Sequence, residues 1–186
     1  MSKRPVVLVV MDGVGINDSE FGNAVKKAYK PTLDQLWETC PHTQIKAHGL
    51  AVGLPSDGDM GNSEVGHNAL GCGQIYSQGA KLVNESIESG DIFTSETWKD
   101  LVANCKDHGT MHFLGLLSDG NVHYHIKHLK ALISQAKKEG VKEVRVHALL
   151  DGRDVPETSA LTYIDDIETF MNDCNDDNFH ACIASG

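Results

Sequence analysis

Ser63 stands in the run Gly61-Asn62-Ser63-Glu64-Val65-Gly66-His67, at the point where an apolar period through Val65, Ala69 and Leu70 sets in. A serine at a helix N-terminus sits in a partial positive charge among unpaired backbone N–H groups, a setting suited to an anion. Asp12 closes a second feature, the apolar run at residues 5–11, which reads as a strand buried on both faces of a sheet. A carboxylate delivered at a strand end, joined to a serine at a helix start, is how a metal-bound nucleophile for phosphoryl transfer can be assembled. Taken singly, each half has a plainer reading. Asp12-Gly13 is then a turn, and Ser63 is an N-cap.

A second group of reactive side chains lies further along. Arg153 falls between Asp151 and Asp154. A guanidinium held by two flanking carboxylates can fork onto a phosphate or a carboxylate; the competing reading is a structural Arg–Asp pair in a turn. His123, His125 and His128 follow the Asp119-Gly120 turn. Positions 123 and 125 alternate faces on extended chain and no cysteine joins them, so one histidine contacting an anionic substrate is expected rather than a three-histidine metal site.

The elements that must position these residues repeat one theme. Apolar segments at residues 6–11, 111–117, 144–150 and 181–184 each run into a turn of Gly with small or acidic residues. Between them, Ile126, Leu129, Leu132, Ile133 and Ala136 share a helical face, as do Leu161, Ile164, Ile167 and Phe170 or Met171. This alternation predicts an α/β fold with mostly parallel sheets and helices on both faces. Ligands in such sheets bind at the carboxyl ends of the strands, where the Asp-Gly turns fall. Residues 40–74 are Gly-rich and irregular, and residues 79–107 are helical in pattern, so a domain boundary is expected at 74–80. The run from Phe179 into Ser185-Gly186 reads as a buried strand entering a functional loop, which suggests a piece of something longer.

The formal charge of −10 argues against nucleic acid or an anionic membrane as partner. No stretch approaches the ~20 apolar residues of a membrane span, and the N-terminus lacks a signal cleavage site. Five cysteines without a CxxC pair favour reduced thiols and a cytoplasmic location.

Taken together, the motifs resemble the cofactor-independent phosphoglycerate mutases of the alkaline phosphatase superfamily. The matching residues are Met11-Asp12-Gly13, Ala47-His48-Gly49, Gly53-Leu54-Pro55, Gly61-Asn62-Ser63-Glu64-Val65-Gly66-His67, Ser118-Asp119-Gly120 with Val122-His123, and Asp151-Gly152-Arg153-Asp154-Val155-Pro156. The resemblance runs over the whole chain. It implies an alkaline-phosphatase-like domain, begun by residues 1–76, with an inserted α/β phosphotransferase domain, begun by residues 77–186.

The resemblance also implies a reaction. A phosphoryl group moves between 3-phosphoglycerate and 2-phosphoglycerate through a phosphoserine, without added 2,3-bisphosphoglycerate. Ser63 is then the nucleophile and a metal ligand, and Asp12 a further metal ligand. His123, Arg153 and Asp154 hold the substrate. The cofactors implied are two divalent ions, Mn2+ first and Mg2+ or Co2+ as alternatives. The complete enzyme is expected to be a cytoplasmic monomer acting on a small molecule. The family's remaining metal ligands and later substrate cations have no match here, so the isolated chain is expected to be inactive. A phosphatase or another phosphomutase of the same superfamily, or a non-catalytic fragment, are the alternatives.

Overall fold

Three of the apolar runs that end in Gly turns become the strands of one parallel sheet. The structure, a computed structural model, describes residues 4–77 and 79–186. The chain divides into two compact units, Met1–Ile45 and Lys46–Gly186.

In the first unit, α1 (Ala24–Lys27) and α2 (Pro31–Thr39) are the regular elements. Asn23 caps α1 through its side chain, which accepts from the Lys26 N–H. Pro31 opens α2, where its missing N–H costs nothing. Residues 6–11, expected as a buried strand, instead form irregular exposed chain, with Val6 96% and Val9 72% exposed. The reason is physical. β structure needs a neighbour to take its N–H and C=O groups, and among the described residues no strand pairs with this segment.

The second unit holds a short 3-10 turn (Gly49–Val52), α3 (Ser63–Cys72), α4 (Gly79–Ser89), α5 (Asp91–Thr94), α6 (Glu96–Lys106), β1 (Thr110–Leu117), α7 (Ile126–Lys138), β2 (Glu143–Leu150), α8 (Ala160–Cys174) and β3 (His180–Ser185). The helical pattern at 79–107 and the two periodic helices are found where the sequence places them. The sheet order is β1-β2-β3, with Leu117 opposite Leu150. A register shift after Val146 sets His147 against Ser185.

The sequence implies helices on both faces; in the described residues they cover one. Two crossovers of the same hand that step in the same direction along a sheet put their helices on the same side. Accordingly Val102 of α6, Leu129 and Ile133 of α7, and Ile167 and Met171 of α8 share one core with Met111, Val144, Val146 and Ala181 of the strands. The other face is open, with Leu114 72% and Leu149 52% exposed. On it His112 Nδ1 lies 2.8 Å from His147 Nε2, and His147 Nδ1 lies 2.7 Å from Ser185 Oγ. A smaller core of Val52, Leu54 and Val65 seats α3. No described helix is long and apolar enough to cross a membrane.

Candidate active site

Ser63 is the first residue of α3, not its cap. The cap is Asn62, whose Oδ1 accepts from the Val65 N–H at 3.0 Å. Asn outranks most residues as a cap, and here it moves Ser63 onto the helix itself with its side chain exposed. Among the described residues the Ser63 and Glu64 N–H groups have no partner, so the helix end keeps two donors for an anion. One turn on, His67 Nδ1 is 2.7 Å from the Ser63 carbonyl oxygen and 3.3 Å from Ser63 Oγ. The carbonyl can only accept, so Nδ1 carries the proton in this arrangement. His67 therefore does not act as a base on Ser63 through that nitrogen.

The segment leading to Ser63 is organised by Asp59. Its Oδ2 accepts from the Ser56 N–H and the Ser56 hydroxyl, both at 2.7 Å. Its Oδ1 accepts from Asn121 Nδ2 at 2.6 Å. Partial burial works against the charge, but the Ser56 and Asn121 bonds outweigh it and hold the carboxyl below its ordinary value. Gly53 is indispensable to the same segment. At φ +85°, a Cβ there would sit 1.9 Å from the Tyr76 carbonyl oxygen.

The carboxyl edge of the sheet gathers the second group. Because Leu117 and Leu150 are in register, Ser118 and Asp151 emerge side by side, and the Ser118 hydroxyl donates to Asp151 Oδ2 at 2.6 Å. Asp151 Oδ1 accepts from the backbone N–H groups of Arg153 and Asp154 at 2.9 and 3.1 Å. Burial raises the Asp151 carboxyl, yet the Ser118 hydroxyl and these N–H groups together hold it below its usual range. Asp151 thus grips the backbone of Arg153 and not its guanidinium, which corrects the expectation of a guanidinium clamped between two carboxylates. A carboxylate at the start of a tight turn reaches the N–H groups two and three residues on before it can reach a long side chain. The Arg153 side chain is exposed, and among the described residues it has no ion-pair partner.

His123 Nε2 lies 4.0 Å from Asp154 Oδ2, so these two expected substrate residues meet. Their meeting depends on Gly120, where a Cβ would stand 2.6 Å from Asp154 Cβ. A cleft of about 560 Å³ is lined on one side by Asn62 and Glu64, which flank Ser63, and on the other by Asn121, His123 and His128. Ser63, Arg153 and Asp154 are not among its lining residues. His128 is buried and its Nε2 bonds Asn84 Oδ1; burial, with His125 and Lys127 adding to it, pushes its pKa down to about 4.

Asp12 lies in the first unit, exposed, with its Oδ1 accepting from the Gly13 N–H at 2.9 Å. Asp12 and Ser63 offer the hard oxygen donors that Mn2+ or Mg2+ prefers. Among the described residues, however, no group of three His, Cys, Asp or Glu side chains could hold a metal ion. The donors are of the right kind but too few for a site.

Asp59 and Asn121 were not singled out by sequence. One local signal existed, since Asn after Gly in a turn tolerates positive φ, and Asn121 has φ 61°. Its partner 62 residues away carried none.

Over most of its length the chain is similar to known enzymes. A solved structure of Leishmania mexicana phosphoglycerate mutase at low cobalt concentration superposes with TM-score 0.83 at 45% identity, over 95% of this chain and 33% of that one. A probable 2,3-bisphosphoglycerate-independent phosphoglycerate mutase of Leptospira interrogans is 55% identical over 186 residues, 98% of this chain and 34% of that protein. A 2,3-bisphosphoglycerate-independent phosphoglycerate mutase of Clostridium novyi is 53% identical over 172 residues, 92% of this chain and 34% of that protein. The family described as the BPG-independent PGAM N-terminus matches residues 83–186. The chain belongs to that family, and it spans about a third of the length of the relatives it matches.

Proposed function

We propose that this chain is part of a phosphoglycerate mutase that moves a phosphoryl group between the 3- and 2-hydroxyls of glycerate through Ser63, without 2,3-bisphosphoglycerate. The observation that carries the reading is Ser63 as the first residue of α3, beside two unpartnered N–H groups and flanked by residues that share a cleft with His123. Ser63 Oγ attacks the phosphorus of 3-phosphoglycerate as the bond to O3 breaks, and the serine proton ends on O3. The glycerate stays bound and turns. Its O2 then attacks the phosphoserine, the bond to Oγ breaks, and the O2 proton returns to the serine. Overall one P–O bond forms as one breaks in each half, so no water or co-substrate is consumed.

Each residue has a task in this cycle. The open N–H groups of α3 stabilise the phosphoryl oxygens. Arg153, with its guanidinium unengaged, forks onto the substrate carboxylate or phosphate. His123, braced by Asp154, holds the substrate between the two transfers. Two divalent ions, Mn2+ first and Mg2+ or Co2+ as alternatives, would lower the serine pKa and neutralise the phosphoryl group when bound. Asp12 and Ser63 would supply part of their ligands. The complete enzyme would be a cytoplasmic monomer, with residues 1–76 contributing to its metal-binding domain and 77–186 to the substrate-binding one.

The test is product analysis of the full-length enzyme with Mn2+ and 3-phosphoglycerate. Formation of 2-phosphoglycerate without added 2,3-bisphosphoglycerate supports the proposal. Release of inorganic phosphate as the main product would assign the serine to hydrolysis instead.

A further inference from the structure

The segment that delivers Ser63 and the loop that delivers His123 are joined by one side-chain bond. Asp59, four positions before Ser63, accepts from Asn121, two positions before His123, at 2.6 Å. Both ends of the bond are anchored. Asp59 is fixed by its two bonds from Ser56, and its own carbonyl accepts from the Gly49 N–H at 3.2 Å. Asn121 is the one described non-glycine residue with positive φ, and its N–H donates to the Tyr124 carbonyl at 3.1 Å, closing the loop around His123. Asn121 also lines the cleft with His123. A carboxylate bonded to an amide is charge-assisted and shorter than a neutral pair. In-line phosphoryl transfer is sensitive to small displacements of nucleophile and substrate, because orientation supplies much of the rate.

We propose that Asp59 and Asn121 form a latch that sets the position of the Ser63 segment against the His123 loop. The latch rests on the mutase reading for its consequence, though not for its existence. Asp59 and Asn121 touch no reacting atom and are positioning residues. The latch holds while Asp59 is ionised and Asn121 donates.

Three variants of the full-length protein test it. Asn121→Gly suits the positive φ and removes only the side chain. Asn121→Asp keeps the shape but sets two carboxylates against each other. Asp59→Asn combined with Asn121→Asp restores the bond with the donor reversed. The amide introduced at position 59 still accepts from Ser56 through its oxygen, while its NH2 donates to the carboxylate introduced at position 121. Hydrogen exchange over residues 54–62 and 119–124 reads the latch directly, and kcat and KM for 3-phosphoglycerate read its consequence. Asn121→Gly and Asn121→Asp are expected to speed exchange in both segments by more than their fall in Tm accounts for. They should lower kcat/KM about tenfold, the loss of one charge-assisted bond. The swapped pair should recover both. Faster exchange confined to residues 119–124, or a swapped pair no better than Asn121→Asp, would overturn the latch. So would unchanged kinetics in an enzyme whose segments have come apart. If the wild-type protein fails to convert phosphoglycerate, the mutase reading falls, and exchange still decides the latch.

Discussion

His123 Nε2 stands 4.0 Å from Asp154 Oδ2, with the carboxylate side chain 10% exposed and the imidazole 55% exposed. The buried partner steadies the ring while leaving most of it open to a ligand. This pairing joins the turns that follow β1 and β2, and Asp151 holds the second of those turns in shape. In the proposed mutase, the placement of Arg153 and His123 would therefore depend on a carboxylate that need not touch substrate.

The role of Asp151 predicts a stability loss. Asp151→Ala leaves the buried Ser118 hydroxyl and the Arg153 and Asp154 N–H groups without their acceptor, at a cost of about 3 kcal/mol. Asp151→Asn retains an acceptor for the N–H groups and an amide that can donate to Ser118, so it should lose less. Urea unfolding of the two variants checks both the size and the order, and equal losses would contradict the assignment.

Arg153→Lys should do the reverse. The guanidinium has no ion-pair partner among the described residues, so Tm should hold. Lysine loses the fork, and substrate use should weaken by about 2 kcal/mol, read as kcat/KM for 3-phosphoglycerate. A falling Tm with unchanged kcat/KM would make Arg153 structural.

His128 predicts a pH effect whose sign is fixed. Its pKa falls from an ordinary 6.5 to about 4 in the fold, mainly through burial. The unfolded chain then binds more protons than the folded one between those values. The contribution of His128 is complete above pH 6.5 and is lost as pH falls towards about 4. His128→Gln, which can still donate to Asn84, should show a shallower loss of Tm across this window than the wild-type protein. Parallel curves would remove His128 as the cause.

Much of this was legible in the sequence. The strands at 111–117 and 144–150 and the faces of α7 and α8 follow from period and turn chemistry, both local properties. The segment at 6–11 was not. Its composition is that of a buried strand, but burial and pairing depend on neighbours that composition cannot supply. Arg153 was misjudged for a related reason: charges flanking in sequence suggested a side-chain clamp, whereas turn geometry directs the Asp151 carboxylate to backbone N–H groups. Asn62 took the cap that Ser63 was a candidate for, because the two differ by one residue and both suit the position. The Asp59–Asn121 bond spans 62 residues and exists only through the fold.

Passage of the phosphoryl group through Ser63 is tested by acid-quenched mass spectrometry of the Ser63 peptide. The full-length enzyme is mixed with Mn2+ and 3-phosphoglycerate, without 2,3-bisphosphoglycerate, and quenched during turnover, beside a Ser63→Ala control. One phosphoryl group on Ser63, formation of 2-phosphoglycerate, and loss of both in the control are expected. Mutase turnover in Ser63→Ala, or a phosphoryl group found on a histidine instead, would contradict passage through Ser63.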